Sequence, residues 1–140
     1  MKIIQGDNIM KTGEFIYAKT HADFLNQAFG TNYKAWMKAV WPYYDENTVV
    51  WMVRFNAKDG GWTNTFLSDT RIEEKLLDPN MQVSPSNLYL NKDRIVIQII
   101  NINLGHTRTR KYIFKGVYKY DKTNSNPPLV RYHDKISDEI

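Results

Sequence analysis

The alternation of apolar and polar side chains predicts that most of this chain folds into β-strands. In residues 48–56 (TVVWMVRFN), every second position places a large apolar side chain on one face, which is the period of a strand. We assign Trp51, in the middle of that face, to the core. Residues 94–100 (RIVIQII) form a β-branched run that is typical of a buried strand. Residues 110–120 (RKYIFKGVYKY) alternate aromatic side chains with aliphatic and basic ones.

Residues 20–30 (THADFLNQAFG) have the signals of a short helix. Thr20 stands three positions before Asp23, as in a capping arrangement, and Gly30 provides the stop. The apolar residues between them form one stripe, which we expect to face the core.

Residues 68–79 (SDTRIEEKLLDP) predict a second short helix. Thr70 and Glu73 fit a capping box, and Pro79 stands just beyond the expected end of the helix. Adjacent residues on a helix do not face each other, so we expect Glu73 to cap the first turn and Glu74 to be a solvated neighbour.

The remaining signals complete an α+β fold. The turn residues 59–61 (DGG) separate residues 48–56 from residues 62–67 (WTNTFL), which predicts that these two segments pair as a hairpin. Residues 129–133 (LVRYH) form a last short strand. Consecutive hairpins favour an antiparallel sheet over a βαβ layout. We therefore predict one domain, residues 1–140, with a strongly curved, barrel-like, mostly antiparallel sheet and two short flanking helices.

Length and composition indicate an ordered domain. The 140 residues suffice for one core, and the hydrophobic (42%) and charged (24%) fractions exclude wholesale disorder. The chain has no cysteine, so it can form neither a disulfide nor a thiolate metal site. No apolar run reaches membrane-spanning length and no signal-peptide pattern opens the chain, so we expect a cytoplasmic protein without a membrane partner.

Positive charge is concentrated in one segment. The net charge is +4, yet residues 105–122 alone hold six basic residues against one acidic residue. This concentration indicates a patch that faces an anion, unless the lysines only protect an edge strand. The lysines at positions 111, 115 and 119 are expected to fall on one face of a strand. The candidate phosphate-binding residues are Arg108, Arg110, Lys111, Lys115 and Lys119.

The sequence contains no recognisable catalytic motif. The motif G-x-S-x-G, a glycine-rich phosphate loop and the motif H-E-x-x-H are all absent. His21, His106 and His133, which fall in a helix start, a loop and a tail, share no ligand spacing, so we expect no metal site and no cofactor. Asp69 and Glu73 could act as acid–base residues of a small nucleotide-acting enzyme. Their spacing has no specificity, and catalysis is the weaker expectation.

Aromatic side chains favour a binding function instead. Trp36 and Trp41 flank the sequence MKAV, and Trp62 begins a predicted strand. An indole at such a position either covers the core or stacks on a base. A pocket that reads a base edge needs a flat apolar wall with a few donors and acceptors. The candidate pocket residues are Trp36, Trp41, Trp62, Asn64, Ser68, Asp69 and Arg71.

The end of the chain resembles a known family. Residues 111–140 (KYIFKGVYKYDKTNSNPPLVRYHDKISDEI) carry an aromatic Y-x-F-x-G-V-Y strand, a loop and a returning strand. This segment resembles the closing part of PUA-like and SRA-like domains from modification-dependent restriction enzymes. The resemblance implies a curved β-barrel with flanking helices, and a pocket between barrel and loops for a flipped modified base. It assigns no individual pocket residue, and no counterpart of a nuclease domain is visible in the chain.

Two functional classes follow from these observations. The first is a non-catalytic nucleic-acid-binding module, with DNA expected over RNA, that reads a modified base in a restriction or phage-defence system. The second is a protein-interaction module, such as a phage or mobile-element inhibitor of a host factor, because Trp, Tyr and Arg are also the usual hot-spot residues of interfaces. Salt-sensitive binding to nucleic acid would distinguish the first class, and an acidic protein partner the second.

Overall fold

The computed structural model of the protein describes residues 10–34, 40–42, 46–56, 58–59, 61–77, 92–104, 107–126 and 129–140. These ranges contain nine strands and one helix. In chain order, the elements are β1 (Phe15–Ala18), α1 (His21–Phe29), β2 (Val40–Pro42), β3 (Thr48–Val53), β4 (Lys58–Asp59), β5 (Trp62–Ser68), β6 (Arg71–Leu76), β7 (Asp93–Leu104), β8 (Thr107–Tyr120) and β9 (Val130–Ser137).

The helix α1 begins and ends where the sequence places its cap and its stop. The Asp23 amide donates a hydrogen bond to the Thr20 hydroxyl at 3.0 Å. Gly30 adopts the left-handed φ of 66°, and its amide donates to the Asn26 carbonyl at 3.1 Å. The prediction of this helix is confirmed. No helix in the described ranges is long and apolar enough to span a bilayer.

Residues 68–77 do not form the predicted second helix, and the last two residues of that prediction, Asp78 and Pro79, lie outside the described residues. Arg71–Leu76 is strand β6, which pairs with β5 on one side and with β9 on the other. Its side chains alternate between buried and more exposed positions, with the period of two that a strand requires. The hydroxyl of Ser68 accepts a hydrogen bond from the Thr70 amide at 3.2 Å, so the expected capping residues close a β-turn instead.

The nine described strands form one mixed sheet. Their order is β2-β3-β7-β8-β9-β6-β5-β4, and β1 pairs with β8 beside this path. Every pairing is antiparallel except the one between β3 and β7. The predicted α+β fold with a mostly antiparallel sheet is confirmed. The sheet is open, because the strands at the two ends of the order, β2 and β4, do not pair with each other.

The predicted hairpin between residues 48–56 and 62–67 is wrong. Strand β3 pairs with β2 and β7, whereas β5 pairs with β4 and β6. Positions 49–53 of β3 are all buried, which fits a central strand that is covered on both faces. The partner of β5 on this side is instead the short strand β4, with Asp59 opposite Trp62.

Two core clusters cover the opposite faces of the sheet. Met52 belongs to the first cluster and its neighbour Trp51 to the second, because successive side chains of a strand point to opposite faces. The first cluster packs against α1 and contains Phe24, Leu25, Ile97, Tyr112 and Phe114, among others. The second contains Trp51, Val53, Ile72, Val96 and Tyr118, with Phe55 and Phe66 packed against it. The assignment of Trp51 to the core is confirmed, since only 4% of this residue is exposed.

A bulge in β8 lies at Lys115. Val96 pairs with Gly116, but the next residue, Ile97, pairs with Phe114, so Lys115 is the additional residue. Gly116 has a φ of 116°, which a residue with a side chain rarely adopts. The Lys115 side chain therefore does not follow the regular alternation of side chains between the two faces of the strand.

The bulge also changes which lysines share a face of β8. Phe114 and Val117, on its two sides, both belong to the first core cluster. Alternation then places Lys111 on the face opposite to that cluster and Lys119 on the same face as Val117. The prediction that the lysines at positions 111, 115 and 119 fall on one face is therefore wrong.

Candidate functional site

A cavity of about 400 Å³ opens beside the second core cluster. Distant parts of the chain contribute its walls: β5, the turn after it, the bulge in β8, the strand β9 and a residue ahead of β1. We name it the Phe66 pocket after its aromatic wall. Its lining residues are Thr12, Phe66, Asp69, Lys115 and Lys135. The pocket thus combines one aromatic ring with one acidic and two basic side chains.

The aromatic wall of the Phe66 pocket is backed by a second ring. Phe66 stacks on Phe55 with a distance of 4.0 Å between ring centroids and an angle of 25° between the planes. Both rings pack against the second core cluster, which holds them in place. The Lys115 ammonium lies 5.1 Å from the centroid of Phe66, within the range of a cation–π contact.

The acidic side of the Phe66 pocket is the turn that contains Asp69. The Tyr118 hydroxyl donates a hydrogen bond to the Asp69 main-chain carbonyl at 3.3 Å and so ties the turn to β8. Burial, together with the negative charges of Asp138 and Asp69, raises the pKa of Tyr118 to about 12, so this phenol remains a donor at neutral pH. The Asp69 residue itself is exposed, which leaves its carboxylate accessible from the pocket.

The two amines of the Phe66 pocket differ in their partners. Lys135 forms an ion pair with Asp138, with 3.0 Å between Nζ and Oδ1. In the part of the chain that the structure describes, no carboxylate lies within ion-pair distance of Lys115. The Lys115 ammonium is therefore the stronger candidate for a contact with a ligand.

A second polar site lies on the same face of the sheet and is buried. The Glu74 cluster consists of Glu74 on β6, Arg94 on β7, and Arg131 and His133 on β9. One carboxylate oxygen, Oε1 of Glu74, lies 3.1 Å from Nε2 of His133, 3.3 Å from Nη1 of Arg131 and 3.6 Å from Nη1 of Arg94. All four residues are less than 9% exposed.

Burial and charge together determine the protonation of the Glu74 cluster. Burial alone would raise the pKa of Glu74, but the hydrogen bond from His133 and the charges of Arg94 and Arg131 outweigh it and lower that pKa to about 2. The pKa of His133 is lowered, because burial and both arginines oppose a positive imidazole more strongly than Glu74 favours it. At neutral pH the cluster therefore holds a carboxylate and a neutral histidine.

Tryptophan rings cover both arginines of the Glu74 cluster. The guanidinium of Arg94 lies 4.6 Å from the ring centroid of Trp51, and that of Arg131 lies 4.5 Å from the ring centroid of Trp62. Trp51 also contacts His133, with 5.3 Å between the ring centroids. Trp51 is buried but Trp62 is partly exposed, so the cluster is nearest to solvent on the side of Trp62.

The structure divides the predicted base-pocket residues between these two sites. Trp62 and Asn64 lie at the Glu74 cluster, where Asn64 is buried directly opposite Glu74 in the pairing of β5 with β6. Asp69 lies in the Phe66 pocket, and Ser68 is an exposed residue of the turn beside it. Trp36 falls outside the described residues. Trp41 is in β2, but its side chain also falls outside them.

Arg71 is not brought together with the other predicted pocket residues. Its guanidinium pairs with Asp134 at 2.6 Å and with Asp121 at 3.0 Å, and it lies over the Tyr132 ring at 4.7 Å from the centroid. Asp134 is in β9 and Asp121 directly follows β8, so these two ion pairs of Arg71 stabilise the packing of β6 beside β9. Nor is Glu73 available as a free acid, because its carboxylate accepts a hydrogen bond from the Tyr132 hydroxyl at 3.2 Å.

The basic residues of β8 occupy several different environments. Arg108 and Lys119 are exposed. The Lys111 ammonium lies 4.0 Å from the Phe15 ring centroid, and the Arg110 guanidinium donates a hydrogen bond to the Lys19 carbonyl at 3.1 Å. Only Lys115 reaches the Phe66 pocket. The assignment of these residues to phosphate binding stays a prediction.

None of the residues of the Glu74 cluster was predicted from the sequence to be a buried polar group. Glu74 was expected to be solvated because residues 68–79 were predicted to be helical, and His133, at the end of the predicted strand 129–133, was not expected to be buried. His106 falls outside the described residues. The alternation in residues 71–76 (RIEEKL) and in residues 130–133 (VRYH) was the available signal, since it places Glu74, Arg131 and His133 inward if both segments are strands.

Comparison with known proteins identifies the class of this domain. The family model of the SET and RING associated (SRA) domain matches residues 3–140, so the chain belongs to the SRA family. It is a DNA-binding module of the modified-base-reading class. The resemblance noted in residues 111–140 is thus confirmed, and it extends over nearly the whole chain.

A solved structure shares the fold. The 5-hydroxymethylcytosine-specific restriction enzyme AbaSI superposes with a TM-score of 0.71 and 22% sequence identity, over 95% of this chain and 42% of that enzyme chain. This chain therefore spans less than half of the length of AbaSI. Among curated proteins, none matches the sequence significantly.

Proposed function

We propose that this domain binds duplex DNA and reads a modified cytosine that is turned out of the helix into the Phe66 pocket, without catalysing a reaction itself. The observation that carries the proposal is the composition of the pocket: an aromatic wall stands beside one carboxylate and two amines in a cavity of about 400 Å³. That volume falls within the range of roughly 300–1,000 Å³ that is usual for small-molecule sites.

Each lining residue has a role that suits a cytosine. The base would stack on Phe66, which Phe55 supports from behind. The Asp69 carboxylate would accept a hydrogen bond from the exocyclic amine of the base, as acidic side chains do with cytosine. Lys115 and Lys135 would donate to the ring acceptors and to an oxygen on the substituent at position 5. The similarity to a 5-hydroxymethylcytosine-specific enzyme supports 5-hydroxymethylcytosine as the first base to test.

The DNA backbone would be bound by the basic residues of β8. Arg108 and Lys119 are exposed and free of ion pairs with the described carboxylates, and Lys111 extends over Phe15. Counterion release on phosphate contact makes such binding fall steeply as the salt concentration rises. These contacts would fix the position of the domain on DNA, while the Phe66 pocket supplies the selectivity for the modified base.

We assign the domain to a restriction or phage-defence system, in which a separate unit would cut the DNA. The supporting observations are the likeness to a restriction enzyme and the fraction of that enzyme, 42%, that this chain covers. In the described residues, no three His, Asp or Glu side chains converge as a metal-binding group. A reader of this kind recognises the base and leaves its chemistry unchanged.

The test compares pocket variants on two duplexes that differ only in one 5-hydroxymethyl group. Phe66→Ala should lower the affinity for the modified duplex by roughly tenfold, since a stacked base contributes about 1–3 kcal/mol. Asp69→Asn should lower the affinity for the modified duplex, because the amide offers one acceptor atom fewer to the exocyclic amine of the base. Leu67→Ala is the matched control, since Leu67 is 51% exposed on the same strand. Equal affinities of Phe66→Ala and Leu67→Ala for both duplexes would contradict the assignment of the pocket.

A further inference from the structure

Two aromatic side chains of β1 project from one face of the sheet into solvent. Phe15 is 45% exposed and Tyr17 is 48% exposed, and they share a face because they are two positions apart in a strand. Their rings meet edge to face, with 5.3 Å between the centroids and 71° between the planes. An edge-to-face contact uses the edge of one ring, so in rings that are nearly half exposed it leaves face area open to a flat ligand.

Two neighbouring strands extend this aromatic pair into a larger surface. In the register of the sheet, Tyr17 lies opposite Lys111, and Lys111 in turn lies opposite Ile100. Residues that lie directly opposite one another place their side chains on the same face. Phe15 begins the adjacent row. We name this surface of β1, β8 and β7 the Tyr17 platform, and its members are Phe15, Tyr17, Gln98, Ile100, Lys111 and Ile113.

The Tyr17 platform is not part of the core. The first core cluster packs on the opposite face of these strands, through residues such as Ile99 and Tyr112. Ile100 is 40% exposed, so three of the seven large hydrophobic side chains that are exposed among the described residues lie together here. Exposed apolar side chains that cluster on one surface, rather than occurring singly, mark an interaction site.

The charge of the Tyr17 platform selects an anionic partner. The Lys111 ammonium lies 4.0 Å from the centroid of the Phe15 ring, and among the described carboxylates none forms an ion pair with it. In the described parts of β1, β7 and β8, alternation places no acidic side chain on this face. Aromatic rings beside a lysine are the combination that holds single-stranded nucleic acid, since bases stack on the rings and phosphates meet the amine.

An unpaired base fits this surface better than a base pair or a protein segment. In a duplex the neighbouring bases cover both faces of each base, so only a base of a single strand can lay its face on an exposed ring. Exposed aromatic side chains on a sheet are an established way of stacking such bases. An acidic protein segment would neutralise Lys111 but need not bring a flat group to the rings. Membership of a DNA-binding family favours DNA among the anionic polymers.

We propose that the Tyr17 platform is a binding site for single-stranded DNA, in which a base stacks on Tyr17 and Lys111 contacts a neighbouring phosphate. Ile100 extends the apolar surface under the next nucleotide. None of the platform residues lines the Phe66 pocket, so the proposal does not depend on base recognition there. The domain would then bind unpaired DNA through a surface of its own, in addition to a duplex.

The experiment compares two labelled strands that differ only in their bases. Fluorescence anisotropy measures the affinity of the intact domain for an oligothymidylate of about 12 nucleotides, a length within the usual site size of single-strand-binding domains. The second strand is an abasic strand of the same length, which carries the same phosphates and no base. We expect the oligothymidylate to bind roughly tenfold more tightly, because only this strand can stack.

Variants of the platform assign this difference to its residues. Tyr17→Ala should lower the affinity for the oligothymidylate roughly tenfold and leave that for the abasic strand unchanged, whereas Tyr17→Phe should keep the preference. Lys111→Ala should weaken the binding of both strands by the same factor and reduce the slope of log K against log salt by about 0.7. Ile136→Ala is the matched control, since Ile136 is 52% exposed on β9.

A charge substitution tests the platform without relying on the aromatic residues. Ile100→Glu places a carboxylate beside Lys111 and should abolish the binding of the oligothymidylate, whereas Ile136→Glu should not. Both positions are exposed, and thermal melting verifies that the variants remain folded. Tyr17→Ala should keep the preference for a 5-hydroxymethylcytosine duplex over an unmodified one. A failure of the platform is therefore distinguishable from a failure of the Phe66 pocket.

Three results would overturn the proposal. Equal affinities of the unaltered domain for the oligothymidylate and the abasic strand would reduce the site to phosphate contacts. Polyglutamate that binds as tightly as the oligothymidylate, with the same dependence on Tyr17, would assign the platform to an acidic protein. Dimers in sedimentation that Ile100→Glu dissociates would assign it to a second copy of this chain.

Discussion

Phe55 and Phe66 stack with 4.0 Å between their ring centroids, although Phe55 follows β3 and Phe66 lies in β5, and these two strands do not pair with each other. The contact holds the ring that forms the wall of the Phe66 pocket in a fixed plane. A flat apolar surface in a fixed orientation is what a stacked base requires. The pocket therefore depends on a residue that does not line it.

Replacing Phe55 should weaken the recognition of a modified base without removing a contact to the base. Phe55→Ala removes the support of Phe66, so we expect affinity for a 5-hydroxymethylcytosine duplex to fall by roughly threefold, less than the roughly tenfold loss for Phe66→Ala. We also expect the free energy of unfolding to fall by about 1–3 kcal/mol, because a partly buried aromatic side chain is lost. Fluorescence anisotropy and urea denaturation measure the two effects. Leu77→Ala is the control, since Leu77 is 42% exposed and lies outside the pocket and the basic strand; an equal loss of affinity in both variants would refute the role of Phe55.

The exposed basic residues of β8 should contribute to DNA binding in a way that salt reveals. Arg108→Ala and Lys119→Ala should each weaken binding to modified and unmodified duplexes by the same factor. Each should also reduce the slope of log K against log salt by about 1, if each residue contacts one phosphate. Because the bulge at Lys115 places Lys111 and Lys119 on opposite faces, the effects of those two residues should differ. Lys75→Ala, an exposed position on β6, is the control, and a slope that no β8 variant changes would exclude this strand from the interface.

Gly116 should be the least replaceable glycine among those whose surroundings the structure describes in detail. A Cβ atom at this position would lie 2.8 Å from Cε of Lys135 and 3.0 Å from the Ser137 carbonyl oxygen, at a φ of 116°. Gly116→Ala should therefore destabilise the domain by about 1–3 kcal/mol and displace Lys135 from the Phe66 pocket. Gly13 is the matched control: its φ of 97° is also positive, but a Cβ there meets no atom within 4 Å. Equal losses from both variants would mean that backbone strain alone, and not the contact with β9, limits this position.

The stability of the domain should fall as the pH decreases from neutral. Burial and the charges of Arg110 and Arg54 lower the pKa of His21 to about 4, so between pH 6.5 and 4 the unfolded chain binds a proton that the folded chain does not. Glu74 acts in the same direction at lower pH, because its pKa is lowered to about 2 and its contribution is lost below pH 4.5. Urea denaturation at pH 7.5, 5.5 and 4 measures the trend. His21→Gln should make the decrease between pH 6.5 and 4 shallower; a free energy of unfolding that stayed constant or rose on acidification would contradict the assignment of neutral, buried histidines.

The parts of the fold that local signals determine could be predicted from the sequence. Thr20 and Gly30 begin and end α1 through contacts within a few residues, so their pattern was sufficient. Residues 68–79 were mistaken for a helix because a capping box and a β-turn use the same small polar residues. The pairing of β3 with β7 joins segments about 45 residues apart, and no pattern within either segment specifies its partner.

The candidate site was harder to predict, because no local pattern specifies which distant segments of the chain come together to form it. Asp69 was identified beside a predicted strand, but Phe66, Lys115 and Lys135 meet it only because the sheet order places β5, β8 and β9 close together. The bulge that directs Lys115 into the pocket has Gly116 as its one local signal. Trp62 and Asn64 were expected in the same pocket as Asp69, and instead lie beside the Glu74 cluster.

The measurement that tests the central claim most directly is the affinity of the unaltered domain for two duplexes of identical sequence, one with a single 5-hydroxymethylcytosine and one with cytosine. Fluorescence anisotropy at two salt concentrations separates the base-specific part of binding from the phosphate-dependent part. We expect the modified duplex to bind on the order of tenfold more tightly at both salt concentrations, while both affinities fall as salt rises. Equal affinities for the two duplexes at both salt concentrations would contradict 5-hydroxymethylcytosine reading by this domain.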